Sequence, residues 1–137
     1  VVSQESEKLK FILDSNDIPN GGLYFDAQTG EVFVFLIKSA DQEKIKKLFK
    51  YPEHLRFREA QYTIEELESV KRVLRNNAEL LNQYGIFAWG IDVLRNRVVV
   101  TMKEINQRNV EILNELVDKR YLLFETGIQP SVSFADG

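Results

Sequence analysis

The 137-residue chain carries 18 Lys and Arg against 21 Asp and Glu, for a net charge of −3, and is 44% hydrophobic with no cysteine. That composition can bury a core in one ordinary domain or two very small ones. It offers no broad positive field to nucleic acid or an anionic membrane, and it excludes disulfides, thiol nucleophiles and thiolate metal sites. No apolar run approaches the roughly 20 residues that cross a bilayer.

The first predicted element is a short helix over Glu5 to Leu13, with Leu9, Ile12 and Leu13 on one face. Asp14-Ser15-Asn16-Asp17 then begins like a calcium loop, but Ile18 and Pro19 stand where a ligand and a glycine would be needed. The segment reads as a polar turn leading into Asn20-Gly21-Gly22. Leu23-Tyr24-Phe25-Asp26, a turn ending at Gly30, and Val32-Phe33-Val34-Phe35-Leu36 make an antiparallel hairpin, because β-branched and aromatic runs flank a short polar loop. Asp26 can accept hydrogen bonds from loop amides, and Gly30 tolerates the positive φ that closes such a turn.

Ser39 and Gln42 have capping-box spacing ahead of a helix carrying Ile45, Leu48 and Phe49. His54, the one histidine, follows in a loop beside Pro52, and a lone imidazole without cysteine cannot build an imidazole- or thiolate-rich zinc site. Leu55 to Arg58 is a candidate third strand. The longest predicted helix runs from a Thr63/Glu66 capping box to Gly85, with Ile64, Leu67, Val70, Leu74, Ala78 and Leu81 in one apolar stripe. Glu65, Glu66 and Glu68 complement its positive end, which accounts for them without catalysis.

The pattern then repeats. Trp89-Gly90-Ile91-Asp92, a turn ending at Asn96, and Val98-Val99-Val100-Thr101-Met102 form a second hairpin, in which Asp92 follows Asp26 by 66 positions and Asn96 follows Gly30 by the same number. Asn106 caps a helix with Val110, Leu113, Leu116 and Val117, and Leu122 to Glu125 is a further strand, now offset by 67. The predicted fold is therefore α+β: tandem αββαβ units over residues 1–60 and 61–127, each a small three-stranded sheet with helices on one face, followed by a tail over 128–137. The order is shared with KH-type RNA-binding domains, but no Gly-x-x-Gly loop separates consecutive helices, so nucleic acid is disfavoured.

Alternation puts Val32, Val34 and Leu36 on the helix side and Phe33 and Phe35 on the other; in the second copy Val99 and Thr101 take that outer side, and Trp89 could join either. Two uncovered phenylalanines would forgo several kcal/mol at about 25 cal/mol per Å². The outer face is thus expected to be covered by the other repeat, by a second copy of the chain or by a different protein. No nucleophile elbow, phosphate loop or metalloprotease helix occurs, and no catalytic, cofactor-binding or metal-ligating residue is assigned.

Gly90-Ile91-Asp92-Val93-Leu94-Arg95-Asn96-Arg97-Val98-Val99-Val100, preceded by an amphipathic segment ending in Tyr84-Gly85, resembles the hairpin of α-lytic-type serine protease prodomains. The resemblance covers Thr63 to Phe124, with a fainter echo in Leu23 to Phe57. It implies a role as folding helper and tight inhibitor of a serine protease, in which the prodomain pairs a sheet edge with the enzyme and feeds its carboxyl-terminal tail into the cleft. Gln129 to Phe134 would be that tail here, so Phe33, Phe35, Trp89, Val99, Val132 and Phe134 are the expected partner-binding residues. The sequence departs from the pattern in stopping at Gly137 with no protease attached. The chain opens Val1-Val2-Ser3-Gln4 rather than on Met, which points to a removed leader or an excised piece and, with it, to an extracellular or cell-envelope location. The alternative reading is a self-associating structural or envelope domain.

Overall fold

The computed structural model describes residues 2–130. The chain is α+β, with two three-stranded sheets of order β1-β2-β3 and β4-β5-β6, each with helices packed against it. Helix α1 (Val2–Ser15) precedes strands β1 (Asn20–Asp26) and β2 (Glu31–Leu36), then α2 (Gln42–Leu48) and β3 (Leu55–Glu59). After α3 (Ile64–Asn76) and α4 (Ala78–Gln83) come β4 (Ile86–Asp92), β5 (Arg97–Met102), α5 (Gln107–Leu116) and β6 (Leu122–Thr126). Within this order the described residues fall into two compact units: everything up to Glu66 together with Val93–Asn96, and Leu67–Asp92 with Arg97 onward.

In the first unit β1 and β2 pair antiparallel and β2 pairs with β3 in parallel, Val32 opposite Leu55 and Val34 opposite Phe57. The parallel pairing needs a crossover, which α2 and short 3-10 turns at Ser39–Asp41 and Pro52–His54 supply. Leu9 and Leu13 of α1 and Ile45 of α2 bury against Val32, Val34, Leu36 and Leu55, one face of the sheet. Helix α1 stops where Asn16 Nδ2 donates to the Ile12 carbonyl at 2.8 Å and Asp17 turns to φ 52°. Asp14 and Ser15 lie inside the helix, not in a loop. The Ser39/Gln42 capping box does not form: Asp41 is the N-cap of α2, and it makes no side-chain capping bond.

The second unit repeats this wiring. Val98 stands opposite Leu122 and Val100 opposite Phe124 in the parallel pair, and β5 alternates buried and half-buried residues along its length. Both hairpins carry a register shift at the same place, between Asn20 and Gly22 and between Ile86 and Ala88. A β-bulge bends and twists a strand, so its recurrence at equivalent positions means the two sheets share backbone shape as well as strand order. The buried Leu67, Val70, Leu74, Leu81 and Leu113 are the helical contribution to this unit's interior.

Two helical expectations fare differently. The Thr63/Glu66 capping box forms in full, Thr63 Oγ1 accepting from Glu66 N at 3.1 Å and Glu66 Oε1 accepting from Thr63 N at 3.0 Å. The single long helix does not: Asn77, at φ −111° and ψ 19°, separates α3 from α4. Its Nδ2 donates to the Val73 carbonyl at 2.8 Å while its backbone N–H bonds the Leu74 carbonyl at 3.0 Å. An asparagine amide competing for the i−4 carbonyl breaks the ladder even though the apolar stripe runs on through Leu81.

Candidate partner-binding surface

The outer face of the first sheet is built by alternation from Tyr24 and Asp26 of β1, Glu31, Phe33 and Phe35 of β2, and Arg56 and Arg58 of β3. Its two phenylalanines are not equivalent. Phe33 is half-buried, whereas Phe35 is only 5% exposed. Phe35 pairs with Gly22, and a side chain at Gly22 would meet Val93 Cγ2 at 3.3 Å and Ile64 Cδ1 at 3.6 Å, so those groups cover this end of the face. Phe35 is thus buried, as expected of this face, and the groups beside it, Ile64 and Val93, belong to the same compact unit. Alternation could not show this, because the covering residues are distant in sequence.

The arginines lean diagonally across the strands. The Arg58 guanidinium sits 4.9 Å from the centre of the Phe33 ring, and Arg56 pairs with Glu31 at 2.6 Å. Tyr24 packs on the other side of Phe33, ring centres 6.1 Å apart and tilted by 52°. Arg56 Nη1 also donates to the Leu55 carbonyl at 2.8 Å and the Glu53 carbonyl at 3.2 Å, and Arg58 Nη1 to the Phe57 carbonyl at 2.9 Å. Since β3 is an edge strand, its own carbonyls are thereby engaged, a device that discourages further strand pairing.

The equivalent edge, β6, lacks that device. The positions of Arg56 and Arg58 are taken by Leu123 and Glu125, neither of which has a side-chain donor, and the Glu125 carboxylate accepts from Thr101 Oγ1 at 3.3 Å. On this outer face Val99 stands between Gly90 and Leu123, all three half-buried, and open space lies over Gly90 where Tyr24 stands in the first sheet. Trp89 pairs with Val100 and shares its inward side, so the structure places it apart from Val99. Val132 and Phe134 lie outside the described residues.

The four turn residues keep related conformations. Asp26 Oδ1 accepts from Gln28 N at 2.9 Å, its carbonyl accepts from Gly30 N at 2.8 Å, and Gly30 and Asn96 close their turns at φ 76° and 56°. Asp92 occupies the same strand-end position opposite Arg97 that Asp26 occupies opposite Glu31. Asn96 does more than turn the chain. It is 6% exposed, its Oδ1 accepts from Gln61 N and Tyr62 N at 2.8 Å each, and its Nδ2 donates to the Tyr62 carbonyl at 2.9 Å. Sequence reasoning missed this role, as it missed Asn109, 1% exposed, whose Nδ2 donates to the carbonyls of Glu104 at 2.9 Å and Tyr84 at 3.3 Å. Asparagine reads locally as a turn or cap residue, so a bond to a remote backbone leaves no signature in spacing.

His54 lies edge-on to Tyr51, with Glu53 Oε2 3.8 Å from its Nε2. A polar cavity of about 300 Å³ in the second unit is lined by Tyr84, Lys103, Asn106 and Arg108 among others, with Arg108 stacked 4.7 Å from the Tyr84 ring. Among the described residues no three His, Cys, Asp or Glu side chains group as a metal site would, and no helix is long and apolar enough to cross a membrane. No protein-family model matches the chain, and no curated protein matches it significantly.

Proposed function

We propose that the chain is a non-catalytic protein-interaction module of the protease-prodomain kind, an inhibitor or folding helper that takes up an extended segment of its partner along β6. The observation that carries this reading is the contrast between two equivalent edges. Arginines engage the backbone acceptors of β3, while Leu123 and Glu125 leave those of β6 without a side-chain donor. Strand addition draws its affinity from main-chain hydrogen bonds and its selectivity from pockets beside the edge, and half-buried Val99 and Leu123 border this one. Such binding needs no reactive side chain. A location outside the cytoplasm belongs to the same proposal, as does a serine protease as the partner.

The test is inhibition of a panel of chymotrypsin-like serine proteases by the wild-type chain and by Leu123→Arg/Glu125→Arg, which copies onto β6 the residues that guard β3. The wild type is expected to inhibit at least one enzyme and the double variant to lose that inhibition while keeping its circular dichroism spectrum. Equal inhibition by both would remove the edge from the mechanism, and no inhibition by the wild type would remove the protease. A free edge also suits a second copy of the chain. Concentration-dependent mass in sedimentation, abolished in the double variant, would move the proposal to self-association.

A further inference from the structure

Strand β6 presents its backbone to the open edge in a fixed alternation. Gly127 N–H donates to the Met102 carbonyl at 3.0 Å, so Gly127, Glu125 and Leu123 turn their backbone groups towards β5, while Leu122, Phe124 and Thr126 turn theirs outward. The first copy has the same phase: Ala60 N–H bonds the Leu36 carbonyl, and the carbonyls engaged by Arg56 and Arg58 are those of Leu55 and Phe57. We infer that the β6 edge selects an extended segment running antiparallel to it and carrying, in N- to C-terminal order, a basic residue, one intervening residue and an apolar residue. The inference rests on the strand addition proposed above and adds to it the class of sequence taken up.

Antiparallel addition is the stronger of the two pairings, and it offers two kinds of site. Partner residues facing Leu122, Phe124 and Thr126 exchange main-chain hydrogen bonds, which carry no sequence preference. Those facing Leu123 and Glu125 stand at the non-hydrogen-bonded sites, where facing Cα atoms approach to about 4.5 Å and side chains interact most closely. Selection therefore falls to Leu123 and Glu125, which share the outer face with Val99 and Thr101. Leu123 stands beside Val99, both half-buried, so an apolar side chain facing Leu123 extends an existing apolar surface. Glu125 is exposed; its carboxylate accepts from Thr101 Oγ1 at 3.3 Å, and no cation pairs with it among the described residues. A cation facing it gains an opposite-charge pair, whereas an acid there is repelled. Direction fixes the order, because an antiparallel segment passes Glu125 first and reaches Leu123 two residues later. In the first copy Arg58 holds the position of Glu125, so the preference belongs to β6 and not to its counterpart.

The experiment is a nuclear magnetic resonance titration of the intact chain with the end-blocked pentapeptide Thr-Lys-Thr-Val-Thr, read at the amides of Leu122, Phe124 and Thr126. Thr-Glu-Thr-Val-Thr and the reversed order Thr-Val-Thr-Lys-Thr are the comparisons. The lysine peptide is expected to give saturable shifts at those three amides and to bind about fivefold more tightly than the glutamate peptide, one charge pair being gained against one repulsion. The reversed peptide should bind about threefold more weakly than the first. In Glu125→Gln the lysine and glutamate peptides should bind alike while both still shift the edge amides. Equal binding of the two by the wild type, a preference that survives in Glu125→Gln, or tighter binding of the reversed peptide would overturn the inference and leave strand addition in place. Absence of shifts at the three amides with every peptide would overturn both.

Discussion

Replacing Asn96 by glycine removes a side chain without straining the backbone, because glycine populates φ near 56° freely. The variant deletes at least three hydrogen bonds, among them two accepted by Oδ1 from the Gln61 and Tyr62 amides and one donated by Nδ2 to the Tyr62 carbonyl. Gln61 is exposed, so water can replace its bond, whereas Tyr62 is 7% exposed and its N–H and C=O lose partners in a place water enters poorly. A buried backbone group deprived of its partner costs about 1–3 kcal/mol, so the two Tyr62 groups set an expected loss of about 2–4 kcal/mol. Asn96→Ala should lose about 1 kcal/mol more, since an alanine at positive φ is strained. For a chain of this size the glycine variant should melt about 8–15 °C lower. Thermal melts followed by circular dichroism give the stability, and amide hydrogen exchange at Tyr62 tests the mechanism separately. A glycine variant within about 0.5 kcal/mol of wild type, or one with unchanged Tyr62 exchange, would refute the argument that Asn96 supports this segment.

Phe35→Ala should cost about 3–4 kcal/mol in urea denaturation and Phe33→Ala about 1 kcal/mol, since the first is nearly inaccessible and the second half-buried; equal losses would contradict the asymmetric cover. Gly21→Ala should destabilise by about 1–3 kcal/mol, because its new Cβ would lie 2.7 Å from Ala60 Cβ and 2.9 Å from Asn96 Nδ2. Adding Ala60→Gly should return part of that loss, and a melt showing no recovery would mean that the clash with Ala60 is not the cause.

Local pattern carried much of the architecture. Both hairpins, the repeat offset of 66, the Thr63/Glu66 box and the Asn106 cap, where Oδ1 accepts from Asn109 N at 2.8 Å, depend on residues a few positions apart, and all could be read from the chain. The contrast between Arg56 and Arg58 on β3 and Leu123 and Glu125 on β6 was also in the sequence, but it means nothing until both strands are known to be sheet edges. The outer face of the first sheet stood half-legible: alternation put Phe33 and Phe35 on one side but could not join them to Leu94, which lines the same cavity.

What the sequence by itself determined was therefore the period of each segment and the equivalence of the two copies, because φ/ψ preference, capping and side-chain alternation act over one turn or one strand. Tertiary structure alone decided the parallel placement of β3 and β6 and the cover over Phe35. It also decided that Asn96 would bond the backbone of Gln61 and Tyr62. These outcomes rest on contacts between residues far apart along the chain, whose energy depends on which surfaces finally meet, and hydrophobic periodicity does not encode that choice.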